Sequence, residues 1–368
     1  MKTIRRLIYG EVLSAVGFVT LCFLALFFFF DFVEEIHSIG RHGAVEYQLV
    51  HALAYVTLMI PSHLYELLPI AVLIGTIFVM ARLAKSSEYT ILRTSGLGPW
   101  RALKALLLLG LAYVVLTFAI GDYMAPIAER SAQLLKARYQ GRITVGRTGA
   151  WLKERQADSQ YAVNIAALES DGSMRGIRIF EFDNQGFLMS MLRAESAIHG
   201  PGEAWTLTQV MRTEFPARDA DAGHIERKQM ESFRWPNQIS AEMVSAALLK
   251  PERMSTIDLF QYIRHLDING QSAQRYQIEF WKKVFYPLSC LVMVVLALPF
   301  AYLHFRSGGI TAYVFGGVMA GISFFLLNNV FGYIGNLQNW QPWLTAALPG
   351  IIYSLLSLTA FGWLVFMR

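Results

Sequence analysis

The sequence predicts a membrane α-helical bundle of six transmembrane helices with an inserted antiparallel β domain of jelly-roll-like type. Three observations carry this. Of 368 residues, 54% are hydrophobic and 16% charged, too apolar for an ordinary soluble domain. Apolar runs of span length fall three before and three after a central segment, 122–283, that has none. Within that segment the hydrophobic period changes from helical to alternating.

The first run, 12–30, holds 19 uncharged residues after Lys2, Arg5 and Arg6. As a helix it rises about 28 Å, one hydrocarbon thickness. That exceeds a signal-peptide core, and no small-residue cleavage site follows, so it reads as a retained span. The acids Asp31, Glu34 and Glu35 close it. The second span lies within 49–81 and contains Pro61 and Pro69 with Glu66 between them. This predicts a kink or break there, or a Glu66 that faces protein or water. The third, 105–121, ends at Asp122 and Pro126, and the fourth is expected at 284–305. From 307 to 367 there is no Asp, Glu, Lys or Arg, and the turn-rich stretch 332–342 divides this part into a fifth and a sixth span. Gly317 and Gly321 place a small-xxx-small face on the fifth.

Charge fixes the expected orientation. The N-terminus, the loop between spans two and three, Arg306 and Arg368 carry ten Lys/Arg, whereas the opposite short loops offer Arg41. The ten belong inside, so both termini are expected in the cytoplasm and 122–283 outside. The net charge of +5 is no nucleic-acid signal, because residues 141–250 hold 13 basic and 14 acidic residues. The remaining bases flank the spans, where orientation and membrane lipid headgroups explain them. Both cysteines, Cys22 and Cys290, fall in apolar runs and offer no disulfide or metal framework.

The outer segment starts with a helix, 127–140, whose Arg130 and Arg138 share a face with Leu134. Alternating runs follow at 161–168, 176–183, 187–198, 204–215 and 225–235, separated by Gly, Asp, Asn and Pro. That is the pattern of an antiparallel β-sandwich or jelly roll. The organisation expected is spans one to three in 1–140, a β domain in 141–250, and connecting helices with spans four to six in 251–368. One connecting helix, 255–265, is amphipathic, capped by Ser255 or Thr256 and ended by Gly270.

No phosphate loop, H-E-x-x-H or G-x-S-x-G motif occurs, and the eight histidines show no metal spacing. The chain is therefore expected not to be an enzyme and to carry no cofactor of its own. The residues that invite a function lie instead at 82–104, between spans two and three. Five Lys/Arg surround one acid, Glu88, and the middle reads as a short helix with Ser86 or Ser87 as N-cap and Gly96 in the left-handed terminating position. A helix held by two spans is a handle through which a soluble partner can move the membrane part.

Together these features resemble the lipopolysaccharide-export permeases of the YjgP/YjgQ family, the LptG type more than LptF. The likeness covers the whole length. It is carried by Gly121-Asp-Tyr-Met-Ala-Pro126, Ser87-Glu88 with Thr94-Ser95-Gly96, Arg275-Tyr276, Trp281-Lys282 and Pro287-Leu288-Ser289. The resemblance implies a heterodimer with a sister permease, LptF, and an LptB ATPase pair that binds ATP and Mg. It further implies transfer of lipopolysaccharide through LptC and periplasmic LptA. It places a coupling helix at about 86–94, with Lys85, Ser87, Glu88 and Arg93 meeting the ATPase. Family members can carry lysine near the outer end of the first span, where this chain is acidic. The expected lipid-phosphate contacts therefore shift to Lys136 and Arg138, with Arg130 and Arg41. Phe27, Phe30, Phe324 and Phe331 are expected along the apolar path in the membrane, and Ile179 and Leu188 above it. The other class that fits is a structural or signalling membrane protein whose β domain binds a peptide or peptidoglycan.

Overall fold

A computed structural model describes residues 2–37, 39, 47–96, 98–140, 149–156, 159–168, 173–200, 204–216, 224–237, 239, 243–244, 251–302 and 310–366. It divides into two compact units, one holding Met1–Glu35, Val56–Ala128 and Gln277–Arg368, the other Ile36–Tyr55 and Glu129–Tyr276.

The first unit is helical. It takes in α1 (Lys2–Ile36), all but the first turns of α2 (Leu49–Lys85), α3 (Glu88–Thr94) and α4 (Pro99–Ala119), which passes through a π-helical turn, Ile120–Met124, into α5 (Ala125–Gln140), whose residues from Glu129 on belong to the second unit. After the second unit come α7 (Gln274–Phe285), α8 (Ser289–Ala297), α9 (Ile310–Leu337) and α10 (Pro342–Phe366). Among the described residues, six helical runs are long and apolar enough to cross a membrane, and the fourth is Gln274–Tyr302, beginning earlier than expected. The axis of this unit is α2. Its most apolar stretch is 83% buried, against 17% for α1 and for the fifth run. One side of α2 packs Leu68, Val72, Val79 and Leu83 with Val12 of α1, Leu106 of α4 and Val294 of α8. The other side packs Leu73 and Ile77 with Met293, Phe324 and Tyr353. An all-round hydrophobic helix has no polar face to turn outward, so it takes the centre.

Of the alternatives expected for α2, a break does not occur. Both prolines lie inside one 37-residue helix, and Glu66 is exposed. Proline at 69 disturbs the turn that precedes it, and there the Glu66 carbonyl accepts a hydrogen bond from the Tyr286 hydroxyl at 2.5 Å. A neighbouring helix thus satisfies backbone next to the disturbed turn, which lets the helix continue. The glycines of α9 do permit close approach: a Cβ at Gly317 would lie 2.5 Å from Ile77, and one at Gly321 2.9 Å from Ile70.

Among the described residues, the second unit is built on one six-stranded sheet: β1 (Ala150–Arg155), β2 (Gln160–Leu168), β3 (Met174–Phe182), β4 (Leu188–Gly200), β5 (Ala204–Glu214) and β6 (Glu226–Pro236). Every strand pairs antiparallel with its sequence neighbour, in the order β1-β2-β3-β4-β5-β6. One face buries Leu152, Val163, Ile177, Ile179, Leu192, Leu207 and Val210. Trp205 is buried with them and donates its indole N–H to the Ile239 carbonyl at 2.7 Å. At the polar rim, Glu181 accepts from Tyr161 at 3.1 Å and from Ser190 at 2.6 Å. Burial, with Glu181 beside it, raises the Tyr161 hydroxyl above the ordinary tyrosine value. The connecting helix α6 (Thr256–Ile268) has Ser255 as N-cap in a full capping box with Asp258, and Gly270 follows it at φ 63°.

Candidate functional site

The handle between α2 and α4 is compact. Lys85 ends α2, and after two intervening residues Glu88 opens α3. The serine cap expected there is absent. Ser87 takes the left-handed conformation, φ 61°, without a side-chain cap, and the Ser86 hydroxyl bonds back to the Arg82 carbonyl at 3.1 Å. With only two residues for the reversal, Ser86 closes the outgoing helix and Ser87 makes the turn, so neither is free to cap α3. Glu88 itself stands in the first turn of α3, where a carboxylate suits the dipole. Gly96 takes φ 98°, as expected, and its carbonyl accepts from the Arg101 guanidinium at 2.9 Å. Arg82 pairs with Glu11 of α1 at 2.5 Å.

Tyr89 anchors α3. It is buried in the core, its ring edge-on to Tyr302 with centroids 5.1 Å apart. Burial, and then the Tyr302 hydroxyl beside it, hold its phenol far above the usual tyrosine range. The other face looks outward: Lys85, Ser87, Glu88 and Arg93 are exposed. Glu88 has no ion pair among the described residues. Sequence reasoning missed two apolar residues here. Ile91, one turn on from Glu88, is 62% exposed, and Trp100 at the start of α4 is 68% exposed. An acid, an isoleucine and a tryptophan at the base of the most buried helix make a surface fit for a protein partner.

Two of the four expected phosphate contacts are described, both on α5. Arg130 is exposed on α5. Lys136 is half-buried, its ammonium 4.6 Å from the centre of the Tyr55 ring. The Arg138 side chain and all of Arg41 lie outside the described residues. At the acidic end of α1, Asp31 is paired with His63 at 2.6 Å, and Glu35 is buried.

Of the apolar positions, Phe30 is exposed, and Phe27 sits half-buried against the His63 ring at 5.0 Å. Phe324 turns inward and packs edge-on to Tyr353. Phe331 is half-buried near Trp340. The outward face of α9 is instead Phe315, Met319, Ile322, Leu326 and Val330. In the sheet, Ile179 is fully buried and Leu188 half-buried.

One constellation escaped sequence reasoning. Lys283 of α7 is buried and donates to the Gly121 carbonyl, in the π-helical turn, at 3.1 Å. Its ammonium lies 5.9 Å from the Tyr65 ring centre, and Tyr65 meets Tyr286 at 5.1 Å. Next to it, Lys282 pairs with Glu279 at 2.7 Å. A π-turn leaves a carbonyl out of register with its helix, and the lysine satisfies one such group. No local sequence signal joins residues so far apart; a lysine inside an apolar run was the only hint.

Six membrane-crossing runs around a central helix, a charged handle and an inserted antiparallel sheet define a membrane permease with an extramembrane β domain. A model of the family "Lipopolysaccharide export system permease LptF/LptG" matches residues 6–363, and the chain belongs to that family. It is 28% identical over 329 residues to the lipopolysaccharide export system permease protein LptG of Escherichia coli K12, covering 89% of each chain. With LptG of Haemophilus influenzae it shares 28% identity over 369 residues, covering 99% of this chain and 98% of the other. The protein is thus a multi-pass inner-membrane permease subunit of lipopolysaccharide export, and ATP hydrolysis belongs to a separate chain.

Proposed function

We propose that this chain pairs with a sister permease of the LptF type and is driven through α3 by a dimeric LptB-type ATPase, which holds ATP and Mg. Both termini and α3 face the cytoplasm, and the β domain lies in the periplasm, as the ten inner Lys/Arg favour. Lipopolysaccharide enters sideways from the outer leaflet between α1 of one permease and α9 of the other. It then moves to the periplasmic bridge of LptC and LptA. The observation that carries the reading is the outward face of α3, Glu88 and Ile91, set directly below α2. A displacement of α3 acts on the helix that both hydrophobic cores share.

Each buried CH₂ of an acyl chain is worth about 0.8 kcal/mol, so the route must be apolar throughout. In the membrane, Phe30 and the outward face of α9 offer that surface. Arg130, Lys136 and Arg138 on α5 are assigned to the lipid phosphates. In the β domain, Ile179 is sealed in the closed core, so passage there requires the sheet to part, with Leu188 at the accessible margin.

The test is Glu88→Lys in the chain co-expressed with its sister permease and ATPase. The variant should insert normally, yet co-purify less ATPase and lose lipopolysaccharide-stimulated hydrolysis. Wild-type assembly and export in this variant would remove the coupling role from α3.

A further inference from the structure

Helix α6 has two faces. Leu259, Tyr262, His265 and Leu266 are buried. On the opposite side Ile257 is 61%, Phe260 59% and Ile268 67% exposed, and Arg264 is exposed among them. At 100° per residue these four fall within an arc of about 80°. Gln261 and Asp258 border it on one side and Asp267 on the other. Three large apolar side chains around one arginine are not the surface of a helix that faces only water.

The chain also ties this helix to the start of a membrane run. The ring of Tyr262 meets that of Tyr276 with centroids 4.7 Å apart, and Arg275 pairs with Glu252 at 2.9 Å. The reversal between the helices is closed by Gly270 and by the Gln271 N–H, which donates to the Leu266 carbonyl at 2.9 Å. Tyr276 stands in the first turn of α7, the helix that opens the fourth membrane run, Gln274–Tyr302. Those 29 residues rise about 43 Å as a helix, more than the ~30 Å hydrocarbon core and close to the ~40–45 Å that includes both headgroup layers. The first turn of α7 therefore sits among the outer headgroups, and α6 is tied to it.

We propose that α6 lies in the outer surface of the bilayer as an interfacial anchor. Ile257, Phe260 and Ile268 enter the boundary between headgroups and acyl chains. Arg264 extends its charged end to a phospholipid phosphate, and Asp258 and Asp267 stay in the aqueous layer. The occupant is the phospholipid surface itself, because the depth follows from the membrane run and the lone basic residue suits an anionic headgroup. The inference rests on the membrane assignment of the family and on the orientation proposed above, and does not depend on the coupling role of α3.

The test uses the full chain, with Cys22 and Cys290 replaced by alanine, in nanodiscs of phosphatidylcholine and phosphatidylglycerol. Single cysteines at Ile257, Phe260 or Asp258 carry a spin label, and collision rates with dissolved oxygen and with a water-soluble nickel chelate are compared. The oxygen-to-nickel ratio should be several-fold higher at 257 and 260 than at 258. Ile268→Ser with Arg264→Gln should lower the ratio at 260, which separates anchoring by the helix from insertion of the label alone. Equal ratios at 258 and 260 would show a solvated face and overturn the proposal. Protection of 257 and 260 from both reagents would show a protein partner on this face and overturn it equally.

Discussion

Gly121→Ala tests whether the π-helical turn and Lys283 form one packed unit. The new Cβ would lie 2.2 Å from Tyr65 Cδ2 and 2.3 Å from Cε2. Carbon atoms rest about 3.5–4.0 Å apart, so ring or helix must give way by more than an ångström. The ring has little freedom: Tyr286 holds one side at 5.1 Å, and that tyrosine is itself bonded to the Glu66 carbonyl at 2.5 Å. Overpacking of this kind costs about 1–3 kcal/mol. If the turn moves instead, the Lys283 bond to the Gly121 carbonyl stretches, and a hydrogen bond from a charged group is worth about 1.5–3 kcal/mol. Either route predicts a loss of about 2–3 kcal/mol, read by reversible unfolding in mixed detergent micelles. Tyr65→Ala removes the obstructing ring, so the double variant should lose less than the two single changes added together. A Gly121→Ala protein within about 0.5 kcal/mol of wild type, or strictly additive losses, would refute the reasoning.

Four further outcomes are expected. Trp205→Phe should destabilise the β domain by about 1–3 kcal/mol in thermal unfolding, because the Ile239 carbonyl loses its donor inside the core. Ser255→Ala removes half of the capping box and should cost about 1 kcal/mol, seen as faster amide exchange in the first turn of α6. Burial lowers the His265 imidazole below its ordinary value. Its neutral form therefore contributes stability that is present above pH ~6.5 and lost as pH falls below it, so the protection factors of the α6 amides, taken against intrinsic exchange at each pH, should fall on acidification, and less so in His265→Gln. A photocrosslinker at Leu188 should capture lipopolysaccharide only when ATP is supplied, whereas neutralising Lys136 and Arg138 together should reduce capture in the membrane; lipid capture at neither β-domain nor membrane positions would remove this chain from the lipid path.

The spans were legible because their signal is composition over about 20 residues, which tertiary packing cannot override. Five strands were legible from alternation. β1 was not, since its inward positions are Ala150, Leu152 and Glu154, and a buried glutamate breaks the apolar pattern; Gln156 donates to that carboxylate at 2.9 Å. The handle was readable from its charge, but its cap was not, because whether Ser86 serves α2 or α3 depends on where α2 ends. Phe324 and Leu326 are indistinguishable in an all-apolar helix, and only the packing of α9 on Tyr353 decides that the first is inside. The link between Lys283 and Gly121 joins residues 162 apart in the chain, beyond the reach of any local pattern.

The uncharged run that contains α9 and α10 has a mechanical consequence. α9 is 28 residues long, about 42 Å, so it overhangs the hydrocarbon at its ends. Neither it nor α10 carries a Lys, Arg, Asp or Glu. Sliding or tilting such a helix by a few ångströms costs only fractions of a kcal/mol per Å. Drawing a single Arg or Lys to the bilayer centre costs about 2.5–3.5 kcal/mol. α1, with Arg5 and Arg6 at one end and the Asp31–His63 pair near the other, is moored at a fixed depth. The two helices expected to border the lipid opening therefore differ in what holds their depth: α1 is moored by charge at its ends, and α9 only by its packing, close against α2 at Gly317 and Gly321.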